Sequence, residues 1–433
     1  SYHKETYARI RKVAKELNTT VGILADLCGP KIRTGKFKND KVELKNNQSV
    51  VVTTRDIIGT SDLIPSQYSE LAKDVEIDDR ILLADGTLEF KVNKIIDTEI
   101  ECTVVYGGVL SNHKGINLPG VKVSAPSLTK KDKADAKLAL DLGVDFLALS
   151  FVRSASDIQD LKELINAHSS NALIIAKIEK PEALDNADEI LEAADGIMVA
   201  RGDLGVELNP EQVPVAQHQL IDLARKKFKP VIVATQMLES MIENARPTRA
   251  EVTDVAYAVT LGTDAIMLSG ETAVGAFPVD AVKMMDRIAR QTESYLWANN
   301  AYGSKVRHDS SEAAIPIWEA IANSMSQLAH DLRVRAVVVI SKSGISAATM
   351  SSARPAAPVI AITKTMDVCQ KILMHWGIVP VLSNDIEETN FSDLARNIVV
   401  EKKLALKGQK VLLVQGFQSD DVLNKPSVTV LTI

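Results

Sequence analysis

The stretches LIIAKIE (residues 173–179) and IMVARGD (residues 197–203) decide the fold class of this chain. Each is an apolar, strand-like run that ends in an acidic residue, and a helical pattern separates the two. In chains that alternate strands and helices, neighbouring parallel strands end at the same edge of the sheet, where such folds keep their chemistry. We therefore expect Glu179 and Asp203 to hold one hard cation, and Lys177 to share the face of Glu179. A surface ion-pair cluster is the alternative interpretation.

Strand–helix units repeat on both sides of these stretches. The strand-like runs are at residues 21–25, 146–151, 173–178, 196–200, 231–234 and 265–268, and the helical patterns are at 4–17, 130–142, 155–168, 181–194, 210–226, 248–261 and 279–296. Units of this length predict an α/β fold of the (β/α)8 TIM-barrel type. Six strands do not close such a barrel, so we expect the first two strands to precede Ser1.

The period changes in two other regions. Short alternating segments at 42–44, 49–53, 80–83, 88–92 and 99–106 predict a small β-rich domain inserted in the barrel. After a polar stretch at 302–311, strand-like runs at 336–340, 358–362, 379–381, 410–414 and 427–432 alternate with helices and predict an open α/β sheet. The expected domains are 1–35 with 121–300 for the barrel, 36–120 for the insert, and 301–433 for the last domain.

Composition limits the classes of function. The chain has 433 residues, 46% of them hydrophobic and 4% aromatic, which is typical of an α/β protein with two or three domains. A net charge of −6 gives no basic surface for nucleic acid, and no apolar run reaches the roughly 18 residues of a membrane span. Cys28, Cys102 and Cys369 have no metal-ligand spacing and fit a reducing, cytoplasmic location.

Three further strand ends carry polar residues. They are ADLCGPKIRTG at 25–35, VIVATQMLESM at 231–241 and IMLSGETAVG at 266–275. From these residues alone, the Gly-Pro turn after Asp26 presents charge or is a plain hinge. Thr235 donates a proton or caps a helix. Ser269 and Glu271 extend a polar relay or cap the next helix.

Together with IIAKIEKPEAL at 174–184 and IMVARGDLGVE at 197–207, these motifs closely resemble the strand-end motifs of the pyruvate kinase family. Their order, their spacing and the inserted β domain also match, over essentially the whole chain. The resemblance implies a (β/α)8 A domain, a β-barrel B domain that acts as a lid, and a C-terminal α/β regulatory domain. It implies an ATP:pyruvate 2-O-phosphotransferase that moves the phosphoryl group of phosphoenolpyruvate to ADP and then protonates the enolate to pyruvate, the last step of glycolysis.

The resemblance also implies roles for particular residues. Phosphoryl transfer needs positioning and charge neutralisation more than covalent help. Lys177 would stabilise charge on the transferred group and on the enolate oxygen, and Lys114 would enter the site as the lid closes. The implied groups are Lys177, Thr235 and Arg33 as catalytic residues; Lys177, Gly202, Asp203 and Thr235 at the substrate; Arg33 and Lys114 at nucleotide or phosphate; Glu179 and Asp203 at Mg²⁺, with Mn²⁺ as a substitute; and Ser269 and Glu271 in a proton relay.

Two departures from the family pattern matter. The family's first two barrel strands carry an arginine that contacts the phosphoryl group, and an asparagine and a serine that bind a monovalent cation. These would precede Ser1, and a chain that truly began there is expected to be inactive and poorly folded. The second departure is Lys31, with Leu27, where potassium-requiring members carry glutamate and threonine. The ammonium of Lys31 is expected beside Asp26 in place of K⁺, so we expect a requirement for Mg²⁺ but not for K⁺.

A last motif, SKSGIS at 341–346, follows a strand and opens a helix in the C-terminal domain. Hydroxyls, a lysine and free N–H groups at a helix start form a phosphate nest, although an ordinary helix cap is the alternative. The resemblance makes it an effector loop for a sugar phosphate or a nucleotide, and it implies a homotetramer. The effector residues would be Ser341, Lys342, Ser343, Gly344 and Ser346.

Two other functions compete with this interpretation. A Mg²⁺-dependent enolate lyase or aldolase on the same barrel would use the carboxylates but no ADP, and the lid with Lys114 argues against it. A non-catalytic sugar-phosphate sensor would need only the last domain, and the retention of Lys177, Glu179, Asp203 and Thr235 argues against that.

Overall fold

The computed structural model describes residues 2–299, 315–384, 390–417 and 424–433. Within these ranges the strands form a six-stranded parallel sheet, a six-stranded mainly antiparallel sheet with a two-stranded companion, and a five-stranded mixed sheet. The polar stretch predicted at 302–311 lies outside the described residues. None of the helices in these ranges is long and apolar enough to cross a membrane.

The first two elements, α1 (Tyr2–Glu16) and β1 (Leu24–Leu27), precede the inserted β-rich segment. Its elements are β2 (Lys41–Leu44), β3 (Ser49–Thr53), β4 (Leu63–Pro65), α2 (Leu71–Asp74), β5 (Arg80–Leu83), β6 (Leu88–Ile96), β7 (Glu99–Tyr106), β8 (Gly108–Ser111) and β9 (Ile116–Asn117). The larger sheet covers an apolar core that includes Phe90 and Ile100. The five predicted strands are present. β4, β8 and β9 go beyond the prediction, because such short runs show too little alternation to be recognised.

Strand–helix units then return and complete the parallel sheet. They are α3 (Lys130–Leu142), β10 (Phe146–Leu149), α4 (Ala155–Ala167), β11 (Leu173–Ile178), α5 (Pro181–Asp185), α6 (Ala187–Ala193), β12 (Gly196–Ala200), α7 (Arg201–Glu207), α8 (Val213–Lys226), β13 (Val231–Ala234), α9 (Arg249–Leu261), β14 (Ala265–Ile266), α10 (Gly270–Ala273) and α11 (Pro278–Ala298). The six strands pair in parallel and in chain order, β1-β10-β11-β12-β13-β14. This is the strand succession of a (β/α)8 barrel, as the sequence predicts.

Two helices differ from their predicted form. The predicted helix at 181–194 is divided at Asn186, which leaves the helical region with φ −99° and ψ 13°. The predicted helix at 210–226 begins as a 3-10 turn at Pro210–Gln212, and α8 starts anew at Val213. A second proline, Pro214, causes this restart, because proline has no N–H and suits the first turn of a helix.

The remaining elements form the C-terminal domain. They are α12 (Ile317–Asp331), β15 (Val337–Ile340), α13 (Ile345–Ser352), β16 (Val359–Thr363), α14 (Met366–Ile372), β17 (Ile378–Leu382), α15 (Phe391–Glu401), β18 (Lys410–Gln415) and β19 (Ser427–Thr432). The sheet order is β17-β16-β15-β18-β19, and only β19 runs antiparallel to its neighbour. Apolar layers cover both faces of this sheet. The predicted open α/β sheet is therefore confirmed.

Alternation along the barrel strands separates two environments. On β11, Ala176 and Ile178 pack against the surrounding helices, whereas Ile175 packs inside the barrel. Lys177 and Glu179 follow Ile175 at two-residue spacing, so both continue the interior face at the carboxyl end of the strand. The sequence-based prediction that they share a face is confirmed by the contact between their side chains.

Aspartates at the starts of three strands hold the opposite end of the barrel together. Each lies just before its own strand and accepts a hydrogen bond from the backbone N–H at or near the start of a neighbouring strand. The bonds are Ile23 N to Asp145 Oδ2 at 2.6 Å, Ile174 N to Asp195 Oδ2 at 2.8 Å, and Val231 N to Asp264 Oδ2 at 3.1 Å. Two of these aspartates end the similar stretches LGVD at 142–145 and LGTD at 261–264.

The C-terminal domain docks on this same end of the barrel. Arg354 donates to Asp264 Oδ1 at 2.9 Å and to the Gly262 carbonyl at 2.6 Å. Both charged side chains are almost fully buried, with 1% and 6% of their surface exposed. Met374 packs against the interior core of the barrel. The strand ends that carry Lys177 and Glu179 therefore face away from the C-terminal domain.

Candidate active site

Lys177 is the centre of the cluster at the carboxyl end of the barrel strands. Its Nζ lies 3.1 Å from Asp26 Oδ2 and 3.1 Å from Glu179 Oε1, and it donates to Ser150 Oγ at 2.8 Å. Burial alone would lower the pKa of Lys177, but the charges of Glu179 and Asp26 outweigh it and raise the pKa above 10.5. The lysine therefore carries a positive charge at neutral pH.

Glu179 is the most deeply buried carboxylate of the cluster. Only 1% of its side chain is exposed, and its Oε2 accepts a hydrogen bond from the Phe151 N–H at 2.7 Å. Burial raises the pKa of Glu179 to about 7; Lys177 opposes this shift and the charge of Asp203 adds to it. Phe151 has φ +54°, a left-handed conformation that is unusual for a bulky residue and aims its N–H at the carboxylate.

A divalent cation fits this pair of carboxylates. Their mutual repulsion contributes to the raised pKa of Glu179, and a cation between them would relieve that repulsion. Carboxylate oxygens are the ligands that hard cations prefer. Within the described part of the chain, no group of three or more His, Cys, Asp and Glu side chains is arranged to hold a metal. Glu179 and Asp203 would thus leave the other coordination positions to substrate oxygens and water.

The next strand end brings Gly202 and Thr235 together. Gly202 donates its N–H to Thr235 Oγ1 at 2.8 Å, and this hydroxyl donates to the Ala234 carbonyl at 2.6 Å. Asp203 follows in the first turn of α7. The prediction that Gly202 lies at the substrate stays a prediction; in this structure the Gly202 N–H is bonded to Thr235. Thr235 itself has φ +71°, a strained conformation for a β-branched residue of the kind that occurs at functional sites.

Arg201 fixes the loop that carries Thr235. Its guanidinium donates to the Thr235 carbonyl at 2.7 Å, to the Ala234 carbonyl at 3.3 Å and to Asp254 Oδ1 at 2.6 Å. Asp254 lies on α9, so the arginine connects three segments that are distant in sequence. Sequence reasoning misses this residue, because an arginine between an apolar strand and Gly-Asp carries no local sign of buried carbonyl partners.

Ser269 and Glu271 follow the strand next to the one that Thr235 follows. Among the described residues, Glu271 bonds to backbone amides there and not to the Thr235 hydroxyl. Glu271 is 1% exposed, its Oε2 accepts from the Ser269 N–H at 2.8 Å, and its Oε1 accepts from the Leu238 N–H at 3.1 Å. Both oxygens therefore hold backbone amides of the two loops that flank the site. Within the described ranges no hydrogen bond connects Glu271 to the Thr235 hydroxyl, and the proton relay stays a prediction.

The surroundings of Asp26 bear on the Lys31 expectation, which stays a prediction. The ammonium that pairs with Asp26 belongs to Lys177, not to Lys31. Lys31 is exposed and lines a pocket with Asp203 between the barrel and the insert. The strand geometry explains this, because Lys31 follows the Gly-Pro turn and has left the interior face of β1. Leu27 is buried, and its carbonyl accepts from Ser150 Oγ at 2.7 Å.

Arg33 and Lys114 lie together at the junction of barrel and insert. Arg33 forms a β-bridge with Gly115 and donates to the His113 carbonyl at 3.0 Å. The Lys114 N–H donates to Thr34 Oγ1 at 3.0 Å, and the Lys114 side chain is exposed. The structure thus places these two basic residues on neighbouring segments, outside the Lys177 cluster.

The segment SKSGIS at 341–346 lies in the C-terminal domain, away from this cluster. Gly344 precedes α13 with φ +89°, and a Cβ there would lie 2.5 Å from Ile372 Cγ2, so only glycine fits. Lys342 and Ser343 are exposed at the helix start, whereas Ser341 is buried and its Oγ accepts from the Ala347 N–H at 3.4 Å.

Ser150 is a second residue that sequence reasoning misses. It touches Lys177, Asp26 and the Leu27 carbonyl. The signal was available, since Ser150 follows the interior residue Ala148 by two positions at the end of β10.

The site as a whole defines a class of enzyme. A charged lysine between carboxylates at the carboxyl end of a parallel α/β barrel, facing an inserted β domain, suits an oxyanionic substrate bound through a divalent cation. The class defined by this arrangement is that of α/β-barrel enzymes acting on an oxyanionic substrate at the carboxyl end of the strands.

Comparisons with known proteins give the family. Residues 1–282 match the model of the pyruvate kinase barrel domain, and residues 319–425 match that of the pyruvate kinase α/β domain. Pyruvate kinase 2 of a Synechocystis strain is 44% identical over 421 residues, which cover 96% of this chain and 70% of the relative. The pyruvate kinase of Geobacillus stearothermophilus is 43% identical over 418 residues, with the same coverage of each chain.

A solved structure agrees with these relatives. The crystal structure of a pyruvate kinase from Cryptosporidium parvum superimposes with a TM-score of 0.88 at 38% identity, covering 99% of this chain and 88% of that one. This chain belongs to the pyruvate kinase family. It is a phosphotransferase of the type that moves the phosphoryl group of phosphoenolpyruvate to ADP, and its family uses a divalent metal.

Proposed function

We propose that the Lys177 cluster catalyses phosphoryl transfer from phosphoenolpyruvate to ADP, with Glu179 and Asp203 as the protein ligands of Mg²⁺. The observation that carries this proposal is the charged Lys177, held between Asp26 and the buried Glu179. In the same way we assign the barrel to residues 1–35 and 121–300, the lid to 36–120 and the effector domain to 301–433. The separate apolar cores of the barrel, the insert and the C-terminal sheet support this division.

Lys177 stabilises negative charge during phosphoryl transfer. Its ammonium is fixed by three oxygen partners and is 13% exposed, so it meets the developing charge without reorganising. When bound, Mg²⁺ would supply Lewis-acid stabilisation of the phosphate and enolate oxygens. Mn²⁺ would serve as its substitute, since both ions accept carboxylate and water oxygens.

Thr235 delivers the proton that converts the enolate to pyruvate. Its hydroxyl is fixed between the Gly202 amide and the Ala234 carbonyl, at the strand end next to Asp203. Ser269 and Glu271 would complete the relay, directly or by holding the loops in place. Substrate would bind against Gly202 and Asp203 from the open side of the barrel.

The insert acts as a lid that brings basic residues to the nucleotide. Lys114 lies in the insert at its junction with the barrel, beside Arg33 of the barrel, so a rotation of the insert would move Lys114 relative to Arg33. Closure would add their charges to the phosphates and exclude water from the site.

We also infer that the enzyme does not require K⁺. Lys31, where potassium-requiring members of the family carry glutamate, brings an ammonium to the pocket that Asp203 also lines. A large activation by K⁺ at saturating ADP would contradict this inference.

The C-terminal nest at 341–346 would bind the phosphate of a sugar-phosphate or nucleotide effector, which makes the enzyme allosteric. Two exposed donors, Lys342 and Ser343, at the start of a helix support this. A Ser343→Asp variant should lose its response to such effectors by charge repulsion; an intact response would argue against the site. A homotetramer, a glycolytic role and a cytoplasmic location stay predictions from the family resemblance.

The deciding experiment measures pyruvate formation from phosphoenolpyruvate and ADP by the full protein with Mg²⁺, with and without K⁺. We expect turnover in both buffers, and loss of nearly all turnover in Lys177→Met. Lys131→Met, which removes an exposed lysine paired with Asp135, is the matched control and should keep wild-type turnover. A folded Lys177→Met protein with wild-type activity would refute the assigned role of Lys177.

A further inference from the structure

A buried ion pair joins the two segments that carry the proposed metal ligands. Lys180 Nζ lies 2.7 Å from Glu207 Oε1, and their side chains are 10% and 1% exposed. Lys180 directly follows Glu179, and Glu207 ends the short helix α7 that holds Asp203 in its first turn. The pair thus lies one residue from one ligand and about one helical turn from the other.

The presence of this buried ion pair is better explained by its fixing the distance between two segments than by a gain in folding stability. Replacing a buried ion pair with apolar residues of similar volume is often neutral or stabilising, because removing two charges from water offsets most of their attraction. A charged hydrogen bond is directional, however, and holds two segments at one separation. Here it holds the ends of β11 and of α7.

Glu207 also faces the insert. Asn117, on β9 of the insert, directs its Nδ2 at Glu207 Oε1 from 3.4 Å. The other oxygen, Oε2, is buried and has no hydrogen-bond partner among the described residues. Glu207, Lys180, Asn117 and Asp203 line one pocket between barrel and insert. The carboxylate can therefore accept a further donor when the insert moves.

We infer that Lys180 and Glu207 are positioning residues of the metal site. They set the separation of Glu179 and Asp203, and through Asn117 they make that separation depend on the position of the insert. This inference rests on the proposed function, since it takes Glu179 and Asp203 as the ligands.

Mn²⁺ binding without substrate separates positioning from simple electrostatics. Lys180→Met removes a positive charge near the site, so electrostatics alone predicts tighter binding of Mn²⁺. Positioning predicts the opposite, a loss of about 10-fold or more, which is the usual effect of removing a residue that orients metal ligands. Free Mn²⁺ is measured by electron paramagnetic resonance during a titration of the full protein. Lys227→Met, whose lysine pairs with Asp188 and Glu192 on α6, is the matched control and should bind as wild type.

The double variant Lys180→Met with Glu207→Met tests the inference in a protein that leaves no buried charge unpaired. It leaves the net charge unchanged and replaces the pair by apolar side chains, so it should fold with a wild-type melting temperature yet bind Mn²⁺ about 10-fold more weakly. Wild-type or tighter Mn²⁺ binding in either variant overturns the inference. The proposed function fails separately, if Glu179→Gln and Asp203→Asn leave the Mn²⁺ affinity of the protein unchanged.

Discussion

The side-chain hydroxyl of Thr235 accepts the backbone N–H of Gly202 at 2.8 Å, so the proposed proton donor is bonded to the residue beside a proposed metal ligand. Thr235 also has φ +71°, a backbone conformation that β-branched residues disfavour, so the surrounding loop must hold it there. The strained backbone of Thr235 and the fixed position of its hydroxyl therefore occur together in one residue.

Removal of that hydroxyl should slow enolate protonation. We expect Thr235→Ala to lower kcat by about 10²- to 10⁴-fold, the usual contribution of a positioned acid, and Thr235→Ser to retain much of the activity. The rate at which the enzyme exchanges the methyl protons of added pyruvate for solvent deuterium, followed by NMR, reports proton transfer at carbon without phosphoryl transfer. Thr260→Ala, on the exposed face of α9, is the control and should change nothing. Equal rates of methyl-proton exchange in Thr235→Ala and wild type would contradict a role of Thr235 in proton delivery.

Arg201 should matter through Thr235. In Arg201→Met the carbonyls of Ala234 and Thr235 lose their donor, and the strained loop can relax. We expect kcat to fall by about 10-fold or more with a smaller change in the KM for phosphoenolpyruvate, as for a lost transition-state interaction. Asp254→Asn leaves both carbonyl bonds and should cost less. The control is Arg290→Met, whose arginine pairs with Asp286 on the surface. Unchanged kcat in Arg201→Met would contradict the positioning role.

The fold was readable from sequence where the signals are local. Strand alternation predicts that Lys177 and Glu179 share a face, and the helical pattern at 248–261 is present as α9, Arg249–Leu261. Contacts between distant segments were not readable. The partners of Arg201 lie up to 53 residues away, and no local sequence pattern around Arg201 predicts them.

The Lys31 expectation shows a different limit. A lysine close to Asp26 in sequence suggested an ammonium beside that carboxylate. The structure places Lys177 there, 151 residues away along the chain, because β1 and β11 lie on either side of the same strand, β10. Sequence distance was a poor guide to which of the two lysines meets Asp26.

Metal affinity should depend on pH through Glu179. In the metal-free protein the pKa of Glu179 is raised from 4.5 to about 7, so folding favours its protonated form. The metal must displace this proton, and its affinity should fall by about 10-fold per pH unit below about pH 7. Mn²⁺ titrations between about pH 6 and pH 8 test this. In Glu192→Gln, whose carboxylate is exposed, the dependence should persist. A pH-independent affinity in wild type would contradict the assignment of Glu179 as a ligand.

The same raised pKa has a consequence for stability. Since the folded pKa of Glu179 lies above the unfolded value, its contribution to stability is present below about pH 4.5 and is lost as pH rises through about 7. The size of the shift corresponds to about 3 kcal/mol of unfolding free energy. Metal-free Glu179→Gln should therefore lose less stability than wild type over this range. Thermal unfolding at several pH values measures it, and identical pH profiles for the two proteins would argue against the shift.

The buried pair of Arg354 and Asp264 should hold the C-terminal domain on the barrel. Burial alone would raise the pKa of Asp264, but Arg354 and the surrounding hydrogen bonds lower it, so the carboxylate stays charged. Arg354→Met leaves this buried charge unpaired and should cost about 3–5 kcal/mol of unfolding free energy. Asp264→Ala should cost at least as much, because it also removes the acceptor of the Val231 and Trp376 N–H groups.

Differential scanning calorimetry checks this order of effects, with Arg396→Met as the control, since its arginine pairs with Asp393 at the surface. The control should change stability by less than about 1 kcal/mol. Asp264 lies at the start of the strand that Ser269 and Glu271 follow. Loss of the Arg354–Asp264 pair should therefore also displace these two residues at the proposed active site. Arg354→Met should then weaken turnover as well as stability, and a destabilised protein with wild-type kcat would show that the junction only joins the domains.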